Sequence, residues 1–300
     1  MGIVVFNGIS TLDYDITVEQ PPNYTGAKRD YESKHIPGRN GDLILDSGSY
    51  QNVNREYNLA VGSEQKSFAQ LSNILSKWVY SGTGYARLED SYDPDVYRMA
   101  IYNNELQVTN VLNHIARATV SFNCMPQRWL KSGEVAHKFY SDYSEEGNNK
   151  YVRLANPSSQ PAKPLIKIKM CNVGTYNPSP SRPELIYFGD LYVENYTFDG
   201  NSDYSHNYVF RMFIPKSYIQ NGTIQDGNYV IIDCEQMTTF VQTNTIKINI
   251  NPYCEFIYNY DTNPHNFIRL SEGVNRVKIL GDTGPDKFEE AEVIPRWWTI

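Results

Sequence analysis

Long hydrophobic runs are missing from this chain. No stretch of 18 or more apolar residues occurs, which excludes a transmembrane helix and predicts no membrane insertion. Cysteine is scarce. Cys124, Cys171, Cys234 and Cys254 stand far apart, and no CxxC is present, so neither a zinc ribbon nor a redox motif is expected. Four scattered cysteines predict reduced, buried thiols. Histidine is scarce too, at five, and none has a second His or Cys at metal-ligand spacing. The motifs GxSxG, HExxH, GxGxxG and the P-loop are all absent. The start, Met1 to Asp15, lacks a basic segment and is not expected to be a secretory signal. Basic charge is in deficit, with 27 Lys and Arg against 34 Asp and Glu, a net of -7. That argues against a broad nucleic-acid grip.

What is abundant is tyrosine, at 24 against 12 Phe and 4 Trp. Tyrosine favours strands and also serves as an amphipathic contact residue. Three hundred residues predict about two domains by the usual length prior.

Residues 1–130 read mainly as strands. Val53, Tyr57, Leu59 and Val61 recur at period two, with Arg55 the one charged residue on the apolar side. Ala116, Ala118, Val120 and Phe122 repeat the pattern. One segment differs: Phe68, Leu71, Ile74, Leu75 and Trp78 have helical spacing, predicting a helix over about 63–81 with Ser63 as N-cap. Residues 131–164 are polar and then proline-rich, and are expected to be a linker and extended lead-in. Residues 165–300 alternate again, as in Leu165-Ile-Lys-Ile-Lys-Met170. Turn signals at Asp199-Gly200, Asn221-Gly222 and Asp226-Gly227 punctuate them, predicting an all-β sandwich.

Candidate chemistry is thin. Asp199, Asn201 and Asp203 suggest a calcium loop, but Tyr204 and Phe210 stand where an EF-hand needs Gly and Glu, so the motif fails. Catalytic, metal and cofactor sites are all expected to be absent. What remains is surface. A sandwich rich in Tyr suits sugar stacking and protein docking alike, and fold alone does not choose.

Four stretches, in this order and spacing, resemble the distal tail proteins of long non-contractile-tailed bacteriophages. They are His35-Ile-Pro-Gly-Arg-Asn-Gly-Asp-Leu43; the helix with Leu75 and Trp78, followed by Gly84-Tyr-Ala-Arg-Leu-Glu-Asp90; Phe122-Asn-Cys-Met-Pro-Gln-Arg-Trp-Leu130; and Ile294-Pro-Arg-Trp-Trp-Thr-Ile300. The resemblance implies a mainly β fold: an N-terminal sandwich or barrel with one helix, related to tail-tube subunits, and a C-terminal lectin-like sandwich. It implies a non-enzymatic virion protein at the phage tail tip, made in the bacterial host cytoplasm. Six copies would form a ring, joining the tail-tube protein to the tail-associated spike or lysin and to receptor-binding proteins. DNA would pass through the lumen without specific binding. Residues 1–130 hold 11 basic against 14 acidic residues, and such a lumen lets a DNA backbone slide.

Arg39 and Asp42 are candidate ring contacts, with local turn stabilisation an equal reading. Gly38 and Gly41 are expected to supply positive-φ turns. Arg128 and Trp129 are candidate ring contacts or anchors for the end of the first domain. Trp297 and Trp298 are expected to be tied into the second sandwich. A second reading keeps the fold and gives the C-terminal domain a host cell-wall saccharide. Tyr187, Tyr192, Tyr196, Tyr204 and Tyr208 are its candidate aromatics.

Overall fold

The computed structural model describes residues 2–111, 114–140, 151–176, 178–196, 205–259, 267–280 and 288–300. The chain divides into two compact units. One comprises Met1–Lys131 with Thr299–Ile300, and the other Ser132–Trp298. Strands dominate both, so the chain is mainly β.

The first unit is built on a ten-stranded sheet. Its longest ladder pairs Val53–Gly62 with Ile115–Cys124, antiparallel, in continuous register from Val53↔Cys124 to Gly62↔Ile115. Period-two patterning explains the result: Val53, Tyr57, Leu59 and Val61 point into the core with Ala116, Ala118, Val120 and Phe122. The helix Phe68–Val79 lays Leu71, Leu75 and Trp78 on that core, each with no exposed surface. Each such side chain stabilises the fold by about 1.5–3 kcal/mol. Trp78 meets the Phe122 ring edge-on at 5.9 Å, and its indole N–H donates to the Ile9 carbonyl at 3.0 Å. The helix is shorter than the spacing implied. Its N-cap is Ser67, because Gln70 three residues on completes a capping box with it. Ser63 instead accepts the Gln65 N–H in a local turn.

Arg55 does not leave the apolar side of its strand. It is compensated there. Its guanidinium meets the Asp90 carboxylate at 3.0 Å, and the same oxygen accepts the Tyr57 hydroxyl at 2.7 Å. The other Asp90 oxygen accepts the N–H groups of Tyr92 and Asp93, both at 3.0 Å.

The second unit has two six-stranded antiparallel sheets. One runs in the order His137–Tyr140, Phe288–Ile294, Leu165–Met170, Tyr229–Asp233, Thr238–Gln242, Lys247–Asn249. The other runs Val152–Asn156, Gly273–Leu280, Arg182–Tyr196, Ser205–Pro215, Glu255–Asn259, with Pro178–Ser179 against Arg182–Tyr196. Alternation again sets the faces: Ile166, Ile168 and Met170 are buried while Lys167 and Lys169 lie at the wet face.

Residues 131–164 do not run as a connecting segment throughout. His137–Tyr140 and Val152–Asn156 pair with strands more than 100 residues away, and local composition does not reveal such partners. Residues 267–270, which look like a strand, form only a bridge at Leu270 with Ala162, while the Phe267 ring packs on Phe210 and Phe256. Trp297 is buried, and Trp298 donates its indole N–H to the Pro161 carbonyl at 3.1 Å. Cys124 and Cys234 are buried, and Cys171 and Cys254 are half-buried. No helix among the described residues is long and apolar enough to cross a membrane.

Candidate functional site

Two surfaces gather the candidate residues, one in each unit. The first is a two-stranded antiparallel ribbon, Arg29–Lys34 with Leu43–Tyr50, that pairs with no other strand among the described residues. Almost every residue in it is exposed, including Tyr31, Ile44 and Leu45 at 51%, 55% and 42%. Ile44 and Leu45 are consecutive, so apolar groups emerge on both faces of the ribbon. An isolated two-stranded hairpin is marginal in water. Its cross-strand Arg29–Asp46 pair is exposed and adds little. The Pro37-to-Asp42 turn forms the tip. Gly38 and Gly41 take φ of 84° and 79°, conformations that favour glycine.

Asp42 does stabilise its own turn. It accepts the Ser33 hydroxyl at 2.7 Å and lies 3.3 Å from the His35 ring nitrogen Nδ1. Arg39 is exposed at the tip, and its backbone N–H donates to the Ile36 carbonyl at 3.1 Å. Arg128 is elsewhere in the unit. Its guanidinium pairs with Asp93, donates to the Tyr24 hydroxyl at 3.0 Å and lies over the Tyr24 ring at 5.2 Å. Trp129 is half-buried opposite Tyr97. Arg39 and Asp42 therefore sit together at the ribbon tip, and Arg128 and Trp129 hold the last strand of the sheet.

The second surface is a cleft of about 500 Å³ on the outer face of the sheet containing Arg182–Tyr196. A bulge creates it. In a regular strand, residues 187 and 190 face opposite ways. Here Tyr187↔Phe213 is followed by Gly189↔Met212, so one extra residue is absorbed. Tyr187, Asp190 and Tyr192 then share one face, while Phe188 and Leu191 turn to the core.

Arg211 holds the Asp190 carboxylate through two hydrogen bonds of 2.8 Å each, the planar bidentate arrangement. The same guanidinium lies 5.3 Å from the Tyr187 ring centre. Burial, then the neighbouring Asp190 charge, pushes the Tyr187 hydroxyl pKa well above its ordinary value. Arg182 closes the other side. It pairs with Glu255 at 3.1 Å and lies 5.2 Å from the Phe213 ring. Beside the cleft, Lys278 stands 5.2 Å over the Tyr192 ring and 2.9 Å from Glu194. Glu194 is almost wholly buried and also pairs with Arg276. Burial alone raises its pKa, but the two cations outweigh that and hold it below the ordinary carboxylate value.

Of the five candidate aromatics, Tyr187 and Tyr192 line this cleft. Tyr208 does not present a surface: it is 5% exposed and packs on Phe256, in step along its strand with the buried Phe210, Met212 and Ile214. Tyr196 ends its strand in register with Val274. Tyr204 and the calcium-like residues Asp199, Asn201 and Asp203 lie outside the described residues. Among the described residues, no group of three or more acidic, His or Cys side chains is placed to hold a metal. Sequence reasoning missed Arg182, Asp190, Arg211 and Glu255. The bulge that assembles them carries no signal beyond a glycine within a strand.

No family model matches the chain, and no curated protein does. Among solved structures, the Dit protein of phage SPP1 is similar over 100% of both chains, at TM-score 0.60 and 9% identity. This chain has the Dit fold. The SPP1 protein is described as a paradigm of the hub adsorption apparatus in phages that infect Gram-positive bacteria. The phage P2 baseplate in its activated, Ca-containing conformation aligns over 98% of this chain and 97% of its own. Its TM-score is 0.45, at 12% identity. The Dit fold is the mainly β architecture that the four sequence stretches implied. Fold at 9% identity transfers no function by itself.

Proposed function

We propose that this chain is a structural component of a phage tail tip: a non-enzymatic hub that closes into a ring of six copies. The observation that carries the reading is agreement with the Dit fold along the full length of both chains, not over one unit. The ring would continue the tail tube and receive the spike or lysin and the receptor-binding proteins. The protein would reside in the virion after synthesis in the bacterial cytoplasm. DNA would pass through an acidic or neutral lumen without being bound.

The exposed ribbon supports the association. A head-to-tail interface needs two different patches, and it closes only if the rotation between copies is right. A two-stranded ribbon with Tyr31, Ile44 and Leu45 exposed is one such patch, and a neighbouring copy would bury it. Arg39 and Asp42 would travel with it as contacts at the tip.

Light scattering of the purified chain tests the proposal. Six copies of 34.5 kDa give about 207 kDa. Ile44→Asp with Leu45→Asp should return that species to monomer while leaving the melting temperature within about 2 °C, since both side chains are exposed. A monomer that forms no ring with tail-tube protein present would overturn the hub reading. A ring unaffected by the double variant would remove the ribbon from the interface.

A further inference from the structure

The cleft lies within the second unit, whereas the exposed ribbon belongs to the first. Its charges are balanced, with Arg182 and Arg211 against Asp190 and Glu255. A phosphate-bearing or acidic polymer would find no net positive charge among these four. Each cation is already paired with a carboxylate, at 2.8 Å for Arg211 and 3.1 Å for Arg182. What the pairs offer instead is donors and acceptors side by side. A guanidinium edge donates and a carboxylate oxygen accepts, at fixed spacing. Vicinal hydroxyls match this, because each hydroxyl both donates and accepts. Tyr187 and Tyr192, both half-buried, supply apolar ring surface for the C–H face of a sugar.

The size also fits. About 500 Å³ lies within the range of roughly 300–1,000 Å³ usual for ligand clefts. The polar groups are preorganised, since Asp190 is 5% exposed and locked by its bidentate partner. Little side-chain entropy would then be lost on binding.

We infer that the cleft between Tyr192, the Asp190–Arg211 pair and the Arg182–Glu255 pair is a binding site for an uncharged saccharide. This deepens the second reading, in which the second unit takes a cell-wall saccharide. It does not depend on ring closure.

The test uses the full chain and a panel of neutral oligosaccharides of glucose, galactose, mannose and rhamnose. Saturation-transfer NMR detects binding, and titration calorimetry measures it. A glycerol-phosphate oligomer and an unstructured neutral peptide serve as comparators. At least one neutral oligosaccharide should bind. Tyr192→Ala and Glu255→Gln should each weaken it at least tenfold, whereas Tyr253→Ala, outside the cleft, should not. Circular dichroism melts check folding, and Glu255→Gln keeps the test valid if Tyr192→Ala does not fold. No binding across the panel overturns the proposal. So does preference for the phosphate oligomer or the peptide, or sugar binding that both cleft variants leave intact. Light scattering on the same samples reports ring formation separately, so failure of this site is distinguishable from failure of the hub reading.

Discussion

Asp90 is the only carboxylate in contact with the buried Arg55 guanidinium among the described residues, and Asp90→Ala tests what that contact is worth. Both side chains are nearly buried, at 10% exposure for Arg55 and 7% for Asp90. Removing the carboxylate leaves the Arg55 cation uncompensated, deprives the Tyr57 hydroxyl of its acceptor and frees the N–H groups of Tyr92 and Asp93. Arg98 lies in the same pocket, and burial, foremost, already lowers its pKa. Breaking a buried pair from one side costs about 3–5 kcal/mol. For a unit of this size that corresponds to a fall of about 10–15 °C in its melting temperature. The double variant Arg55→Met with Asp90→Asn removes both charges and keeps an acceptor for the turn. It should recover most of the loss, since replacing a whole buried pair is often neutral. The assay is hydrogen exchange of peptides covering Val53–Gly62, which reports opening of the first unit alone, alongside calorimetry. A loss below about 1 kcal/mol for Asp90→Ala would refute the reasoning. So would a double variant as unstable as the single one.

Three further outcomes are expected. Trp78→Ala should destabilise the first unit by about 3–5 kcal/mol in the same exchange assay, because it empties a site against Phe6 and Phe122 and orphans the Ile9 carbonyl. A loss under 1 kcal/mol would mean that the core closes over the gap. Acid should weaken the second unit. In Glu194 and Asp233 burial raises the pKa, but Arg276 and Lys278, and Arg296, outweigh it and leave both values depressed. A depressed carboxylate contributes stability above its unfolded value, 4.5 for Glu and 3.8 for Asp, and that stability is lost as pH falls through the folded value. Melting temperature should therefore hold from pH 7 to about 5 and fall below it. Glu194→Gln should flatten the fall, and an unchanged slope would rule Glu194 out. Thiol labelling at pH 8 should reach Cys171 first. Burial pushes the Cys124 thiol up to about 11 and Cys254 up to about 12, and Cys234 is buried and raised as well. Equal reaction of all four in the native protein would contradict this.

Local patterns were readable where local physics decides. The Val53–Gly62 and Ile115–Cys124 ladder follows from period two. The helix follows from the stripe of Leu71, Leu75 and Trp78, and Arg55 stands out as the one charge on the apolar side, while its partner Asp90 is not legible. The helix start was misplaced because two serines were available, and only Ser67 has Gln70 at the capping distance. His137–Tyr140 and Val152–Asn156 were hidden because their partners, Phe288–Ile294 and Gly273–Leu280, lie at the other end of the sequence. Tyr208 is buried for an ordinary reason: it alternates in step with Phe210, Met212 and Ile214 and takes the core face with them. The cleft depends on the bulge after Tyr187, which resets which side faces out, so its aromatics are half legible in the sequence and its ion pairs not at all.

The pairing of the second unit's earliest strands with its latest ones has a consequence for how the protein is made. Phe288–Ile294 sits between His137–Tyr140 and Leu165–Met170, so that sheet has a gap until residues 288–294 have been synthesised. Translation at about 5–20 residues per second leaves the nascent second unit incomplete for roughly 10–30 s. Residues 1–131, by contrast, already hold the ladder and helix of the first unit. A ribosome therefore carries the first unit, formed apart from Thr299–Ile300, ahead of a long stretch of unpaired strands. Chains cut short before residue 288 would expose strand edges and be cleared or aggregate, so only completed copies would enter an assembly.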